Sequence, residues 1–97
     1  MLIVTARVKT TPGNRDLFIQ LAQPAIAGTR NEKGNICYEL YASTEDPDAL
    51  MYFERWTDQA ALDAHMKSPH MQAFAKERTE RGVTAGPSEV TIFEVQE

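Results

Sequence analysis

Apolar and polar residues alternate along four stretches of the chain, which is the pattern of β-strands with one buried face. The first stretch is Leu2–Lys9, and the apolar positions on one of its faces are Leu2, Val4, Ala6 and Val8. The same alternation predicts strands at residues 35–43, 49–57 and 89–95. A short polar turn joins the second and third strands, so we expect these two to be antiparallel neighbours.

Two other stretches place their apolar residues three and four positions apart, as amphipathic helices do. The first helix has a stripe formed by Leu17, Phe18, Leu21, Ala22, Ala25 and Ile26. Thr11 and Pro12 predict its N-cap and its first helical position. The second helical stretch begins at the predicted N-cap Asp58 and restarts at Ser68 and Pro69. Its inward stripe contains Leu62, His65, Met66, Met71 and Phe74.

The order of elements is strand, helix, strand, strand, helix, strand, which is the split βαβ or ferredoxin-like arrangement. It predicts an α+β fold in which a four-stranded antiparallel sheet carries its helices on one face. A chain of 97 residues has room for one domain, so we assign residues 1–97 to a single unit.

The second and third predicted strands have large side chains on both of their faces. Tyr38 and Leu40 alternate with Cys37 and Tyr41, but the helices can cover only one side of the sheet. Soluble monomers avoid an exposed apolar patch of this kind, so we predict a homodimer in which two sheets stack face to face. The alternative is a tolerated patch, because antiparallel sheets often leave one face in contact with water.

The amino-acid composition is that of a globular domain and gives no sign of a nucleic-acid or membrane partner. Apolar residues make up 42% of the chain and charged residues 25%, which is ordinary for a globular domain. A net charge of −4 argues against a nucleic-acid or membrane partner, and no apolar run is long enough to span a bilayer. Cys37 is the single cysteine and no secretory signal is visible, so we expect a cytoplasmic protein without a disulfide.

The two histidines lack the spacing of a helical metal site. His65 and His70 are five residues apart, which on a continuous helix places them roughly 140° around the axis, and Pro69 interrupts the helix. Zinc-binding pairs on helices are three or four residues apart, so we predict no metal site. His65 is either a core histidine with one hydrogen bond or a general base at a cavity.

A carboxylate lies among aromatic residues on the third strand, where Glu54 shares a face with Tyr52 and Trp56. Desolvation there would raise the pKa of Glu54 and make it a proton acceptor. The alternative is an ion pair with Arg7 or Arg55 across the sheet. The sequence has no G-x-G-x-x-G, Walker or G-x-S-x-G motif, so nucleotide, flavin and serine-hydrolase chemistry are not indicated.

Several segments together resemble the antibiotic biosynthesis monooxygenase (ABM) domain family, and in particular its small quinol-monooxygenase-like members. They are Val4-Thr5-Ala6 with Thr11-Pro12-Gly13, residues 30–40, Phe53-Glu54-Arg55-Trp56, and residues 60–65 with Ser68-Pro69-His70-Met71. These segments span most of the chain. The resemblance implies a dimeric α+β barrel, in agreement with the dimer predicted from the strand pattern.

The resemblance also implies an activity. Members of this family transform polycyclic phenols, hydroquinones or haem, often with neither metal nor flavin. We therefore expect a cofactor-independent monooxygenase that oxidises a small quinol or phenolic substrate with dioxygen. Trp56 and His65 match the family's pocket tryptophan and helix histidine, and Glu54 is an additional candidate proton acceptor. The expected substrate pocket is lined by Tyr52, Leu62, Met66 and Phe74.

The chain also departs from parts of this family. Polyketide-oxidising members carry an asparagine before the tryptophan and a tyrosine after it, where this chain has Tyr52 and Leu62. Haem-degrading members use an asparagine on the first strand, where this chain offers Thr5, Arg7 and Lys9, so haem is disfavoured. The alternatives to a monooxygenase are a non-catalytic dimeric module that binds aromatic ligands and an isomerase of a small oxygenated metabolite.

Overall fold

The computed structural model describes residues 1–96 and contains four strands and three helices. In chain order the elements are β1 (Leu2–Lys9), α1 (Arg15–Arg30), β2 (Asn35–Ala42), β3 (Ala49–Trp56), α2 (Gln59–Met66), α3 (Pro69–Glu80) and β4 (Glu89–Glu94). The strands form one antiparallel sheet in the order β2-β3-β1-β4. This arrangement confirms the predicted ferredoxin-like α+β fold.

The core lies between the helices and one face of the sheet. Alternate residues of β1 and β3 are buried there, as the sequence pattern predicts: Leu2, Val4, Ala6, Val8, Leu50, Tyr52, Glu54 and Trp56. The helices cover them with Phe18, Ala22 and Ile26 of α1, Leu62 of α2 and Phe74 of α3. Removal of these side chains from water is the main source of stability for a domain of this size.

The predicted start of α1 is wrong by about one turn. The helix begins at Arg15 with Asn14 as its N-cap residue, rather than at Thr11 and Pro12. Gly13 has a φ of +78°, a left-handed conformation that separates Pro12 from the helix. The Thr11 hydroxyl instead accepts a hydrogen bond from the Asn14 side chain at 2.7 Å.

The two predicted boundaries of the later helices are confirmed. A carboxylate oxygen of Asp58 accepts a hydrogen bond from the Ala61 amide at 2.8 Å, so Asp58 caps α2. Ser68 occupies the N-cap position of α3 and Pro69 its first helical position. The chain therefore changes helix between His65 and His70.

Strand β4 lies at an edge of the sheet and is exposed along its length. Val90 and Ile92 pair with Ala6 and Val4, which places them on the helix side, yet they remain 58% and 49% exposed. The opposite face carries Phe93, which is half exposed. No helix among the described residues combines the length and the apolar character needed to cross a membrane.

Candidate active site

A cavity of about 460 Å³ opens between the helix side of the sheet and helices α2 and α3. Its polar lining consists of Tyr38, Tyr52, Glu54, Gln59, Asp63, His65, Arg78 and Ser88, and its apolar lining includes Val4, Leu62, Met66, Met71, Val90 and Ile92. This volume is within the range of pockets that hold small organic ligands. Five of the sequence-predicted site residues meet here, namely Tyr52, Glu54, Leu62, His65 and Met66.

Two of the sequence-predicted residues do not line the cavity. Phe74 is buried in the core, where its ring packs edge-on against Phe18 with centroids 5.4 Å apart. Trp56 is fully buried behind the cavity wall. Its ring centroid lies 4.7 Å from that of His65, and its Nε1 donates a hydrogen bond of 3.0 Å to Oε1 of Glu54. Trp56 therefore contacts the cavity residues rather than the cavity itself.

His65 is 1% exposed and is held by its neighbours on several sides. Its ring packs against Trp56 and Tyr38, and its Nδ1 lies 2.8 Å from Oε2 of Glu32. Nε2 of His65 makes no hydrogen bond within residues 1–96. Every fully buried side-chain nitrogen or oxygen in this range has a hydrogen-bond partner, so Nε2 is not fully buried. Nε2 therefore retains some exposure, and His65 is one of the residues that line the cavity.

Glu32 is the functional candidate that sequence reasoning missed. It lies in the turn between α1 and β2, where its amide donates to the Thr29 carbonyl at 3.0 Å and its carbonyl accepts from the Asn35 amide at 3.2 Å. These two backbone bonds hold its carboxylate in place beside α2. No local pattern marks this residue, because its partner His65 is 33 positions away in the chain.

The same Glu32 oxygen also contacts His70, whose Nε2 lies 2.9 Å away. His65 and His70 therefore lie close together, contrary to the separation predicted from their spacing, because the new helix that begins at Pro69 turns His70 back toward α1. Gly28 makes room for the ring, since a Cβ at that position would lie 2.8 Å from Cγ of His70.

Glu32, His65 and His70 are the only group of histidine, cysteine and acidic residues in the described chain that could hold a metal ion. Their ligand atoms lie within 4.8 Å of one another. Two ligands of a tetrahedral zinc ion, each about 2.1 Å from the metal, are about 3.4 Å apart. The observed separations of 2.8 and 2.9 Å are instead those of hydrogen bonds. The arrangement is therefore a carboxylate shared by two imidazoles.

Glu54 is the cavity acid whose pKa is shifted most. Glu54 lies on β3, where it pairs with Val4 of β1 on one side and with Tyr38 of β2 on the other. Burial in these surroundings raises its pKa to about 7; the Trp56 hydrogen bond opposes this shift, and the charge of Glu32 adds to it. The alternative of an ion pair across the sheet is wrong, since both proposed arginine partners lie on the opposite face.

The two tyrosines of the cavity remain protonated at neutral pH. Burial raises the pKa of both Tyr38 and Tyr52 well above the ordinary value. The cavity thus combines the His65 imidazole, the Glu54 carboxyl group with its raised pKa, the Asp63 carboxyl group, two phenol groups and the Arg78 cation. This set can bind an aromatic ligand and move protons to and from it.

The sequence is similar to several known proteins. The chain is 30% identical over 96 residues to an uncharacterised protein of Synechocystis, which covers 99% of the chain and 64% of that protein's length. It is 29% identical over 97 residues to "Putative monooxygenase YcnE" of Bacillus subtilis, and each chain is fully covered. The structure of Rv0793 from Mycobacterium tuberculosis superposes with a TM-score of 0.86 at 31% identity, covering 99% of this chain and 95% of that one.

Two further relatives carry an activity in their names. "Probable quinol monooxygenase YgiN" of Escherichia coli is 29% identical over 89 residues, with 78% of this chain and 83% of that protein covered. An isomerase of (4S)-4-hydroxy-5-phosphonooxypentane-2,3-dione from Yersinia enterocolitica is 24% identical over 93 residues, with 96% and 95% covered. The sequence profile of antibiotic biosynthesis monooxygenases matches residues 1–77. The chain belongs to the antibiotic biosynthesis monooxygenase family.

Proposed function

We propose that this protein is a monooxygenase that oxidises a small quinol or phenol in the cavity, using its own side chains rather than a resident cofactor. The observation that carries the proposal is the geometry of His65, which lines the cavity: Nδ1 is 2.8 Å from the Glu32 carboxylate, while Nε2 makes no hydrogen bond within the described residues. A histidine held in this way can accept a proton from a bound hydroxyl group. The names of the YcnE and YgiN relatives support the same reaction class.

The proposed reaction begins when Nε2 of His65 takes the proton of the substrate hydroxyl. The resulting phenolate passes one electron to dioxygen, and the two radicals join at a ring carbon to form a peroxide, which regains the proton from His65. Loss of water from this hydroperoxide leaves a carbonyl group on that carbon. One oxygen atom thus enters the quinone product and the other enters water, so the protein's part is to bind, deprotonate and exclude bulk water.

Oxygen consumption with menadiol tests the proposal. The substrate is added anaerobically, isotopically labelled dioxygen is admitted, and the rate is corrected for the reaction without protein. We expect faster oxygen uptake and one labelled oxygen atom in the product. His65→Ala and Trp56→Phe should abolish or strongly reduce the increase, whereas Gln72→Ala, an exposed change on α3, should not. Unlabelled quinone, or uptake unchanged by His65→Ala, would contradict the proposal.

A second candidate function is the isomerisation of a small oxygenated metabolite. It is favoured by the presence of two proton-handling groups, His65 and Glu54, on one cavity wall. An isomerase needs a group that removes a proton and one that returns it at a neighbouring atom. The named isomerase relative supports this alternative. Turnover of a hydroxyketone that persists without oxygen would establish it, and binding of aromatic ligands without any turnover would instead indicate a binding module.

The active unit is proposed to be a homodimer formed through the sheet face that the helices leave bare. Tyr41 and Phe93 on this face are about half exposed, and Ile3, Met51 and Phe53 lie between them. A second sheet would remove these side chains from water. Sedimentation at micromolar concentration should give twice the monomer mass, and a monomer mass would contradict the dimer.

A further inference from the structure

Arg78 places a positive charge at the cavity, and within the described residues no carboxylate forms an ion pair with it. It lies near the end of α3, is half-buried and lines the cavity. Its Cζ sits 4.9 Å from the ring centroid of Phe74, a cation–π contact that holds the side chain in position. Within residues 1–96 the guanidinium group makes no ion pair and no hydrogen bond. The contact with Phe74 uses one face of the guanidinium group and leaves its N–H edges free.

Two other arginines of the same chain are used differently. Arg15 donates to two loop carbonyls at 2.8 and 3.0 Å, and Arg30 donates twice to the Tyr38 carbonyl at 3.1 and 3.0 Å. Both therefore use part of their donors in a structural role. Arg78 makes no such hydrogen bond within the described residues, although it lines the cavity.

The surroundings of Arg78 strengthen its attraction for an anion. The phenol groups of Tyr38 and Tyr52 are close enough for the arginine charge to oppose the rise in their pKa that burial causes. The two acids that line the cavity are engaged elsewhere: Glu54 accepts a hydrogen bond from Trp56, and Asp63 accepts one from Gln59. In such a partly dry site a charge-assisted hydrogen bond is stronger than it is in water.

We propose that Arg78 binds the carboxylate of an aromatic acid, so that the natural ligand is a small phenolic or quinol compound with one carboxyl group. The aromatic part of this inference rests on the proposed function; the acidic part rests on Arg78. The planar fork of a guanidinium group matches a carboxylate with two parallel hydrogen bonds. A phosphate ester carries nearly two negative charges, and this cavity offers a single cation against them.

Calorimetric binding of three matched ligands tests the proposal: 1-hydroxy-2-naphthoate, 1-naphthol and 1-naphthyl phosphate. We expect the naphthoate to bind about tenfold or more tightly than the other two, which is the usual effect of one charge-assisted contact. Arg78→Gln should remove this preference and Arg78→Lys should retain part of it. Arg81→Gln, an exposed change just beyond α3, serves as the matched control and should leave the preference intact.

The outcomes are distinguishable from those of the oxidation test. Equal affinities, tighter binding of the phosphate, no binding of any ligand, or a preference that survives Arg78→Gln would each overturn the carboxylate site. Naphthoate binding that depends on Arg78, in a protein that consumes no oxygen, would support the site and reject the monooxygenase. Oxygen consumption together with equal affinities for the acid and the neutral ligand would support the monooxygenase and reject the carboxylate site.

Discussion

Replacement of Glu54 by glutamine should change how the stability of the protein depends on pH. Glu54 is 5% exposed, and burial raises its pKa from 4.5 to about 7. A raised pKa means that the folded state holds the proton more tightly than the unfolded state does. The stability associated with the neutral carboxyl group is therefore fully present below pH 4.5 and is lost as the pH rises through about 7.

The magnitude follows from the two pKa values. One pKa unit corresponds to about 1.4 kcal/mol, so ionised Glu54 costs the folded state about 3 kcal/mol at alkaline pH. Glutamine has the same shape, stays neutral and can accept the Trp56 hydrogen bond through its own Oε1. We therefore expect Glu54→Gln to unfold with nearly the wild-type free energy at about pH 4 and to be more stable than wild type by about 3 kcal/mol near pH 9.

The assay is urea unfolding at several pH values, followed by the fluorescence of Trp56, the single tryptophan. Glu77→Gln, an exposed substitution on α3, is the matched control and should differ from wild type by a nearly constant amount. A difference between wild type and Glu54→Gln that does not change with pH would refute the reasoning. A difference that grows toward acid pH would refute it as well, because it would mean that the folded state favours the charged form.

Three substitutions test the local structure that positions the site. Asp58→Ala removes the N-cap of α2 and should lower the free energy of unfolding by about 1 kcal/mol, and no change in urea unfolding would contradict the cap. Gly28→Ala brings a Cβ within 2.8 Å of the His70 ring, so we expect NMR to show a displaced ring and urea unfolding to show a free energy of unfolding lower by about 1–3 kcal/mol. A ring that stays in place would contradict the packing. Gly34→Ala should lower the free energy of unfolding by at least as much, because Gly34 has a φ of +87° and the new Cβ would lie 2.5 Å from Cβ of Ala61. Wild-type stability would count against this prediction.

The fold was accessible from the sequence because its signals are local. The alternation in β1 and β3 marks a buried face directly, and the N-cap positions of Asp58 and Ser68 depend on neighbouring residues. The start of α1 was misplaced because threonine followed by proline is a common helix start. The left-handed conformation of Gly13 cannot be distinguished in the sequence from that of an ordinary loop glycine.

The site was only partly accessible, since its geometry depends on contacts between distant segments. The pattern around Glu54 correctly indicated a desolvated carboxyl group, because alternation placed it among aromatic residues on one strand. Alternation also placed Trp56 on that face, but it could not show that the ring lies behind the wall. Glu32 was missed altogether, because a glutamate in a polar turn looks solvated until the fold brings α2 against it.

In the proposed mechanism, Glu32 holds the proton of His65 on Nδ1 and thereby leaves Nε2 free to accept a proton from the substrate. Nitrogen–proton correlation NMR of protein labelled at its histidine rings measures this directly, because the two neutral tautomers have different nitrogen shifts. At mildly alkaline pH we predict that His65 carries its proton on Nδ1 and that Glu32→Ala gives a mixture of tautomers, with the fold unchanged. A wild-type His65 protonated on Nε2, or a tautomer that is insensitive to Glu32→Ala, would contradict the account.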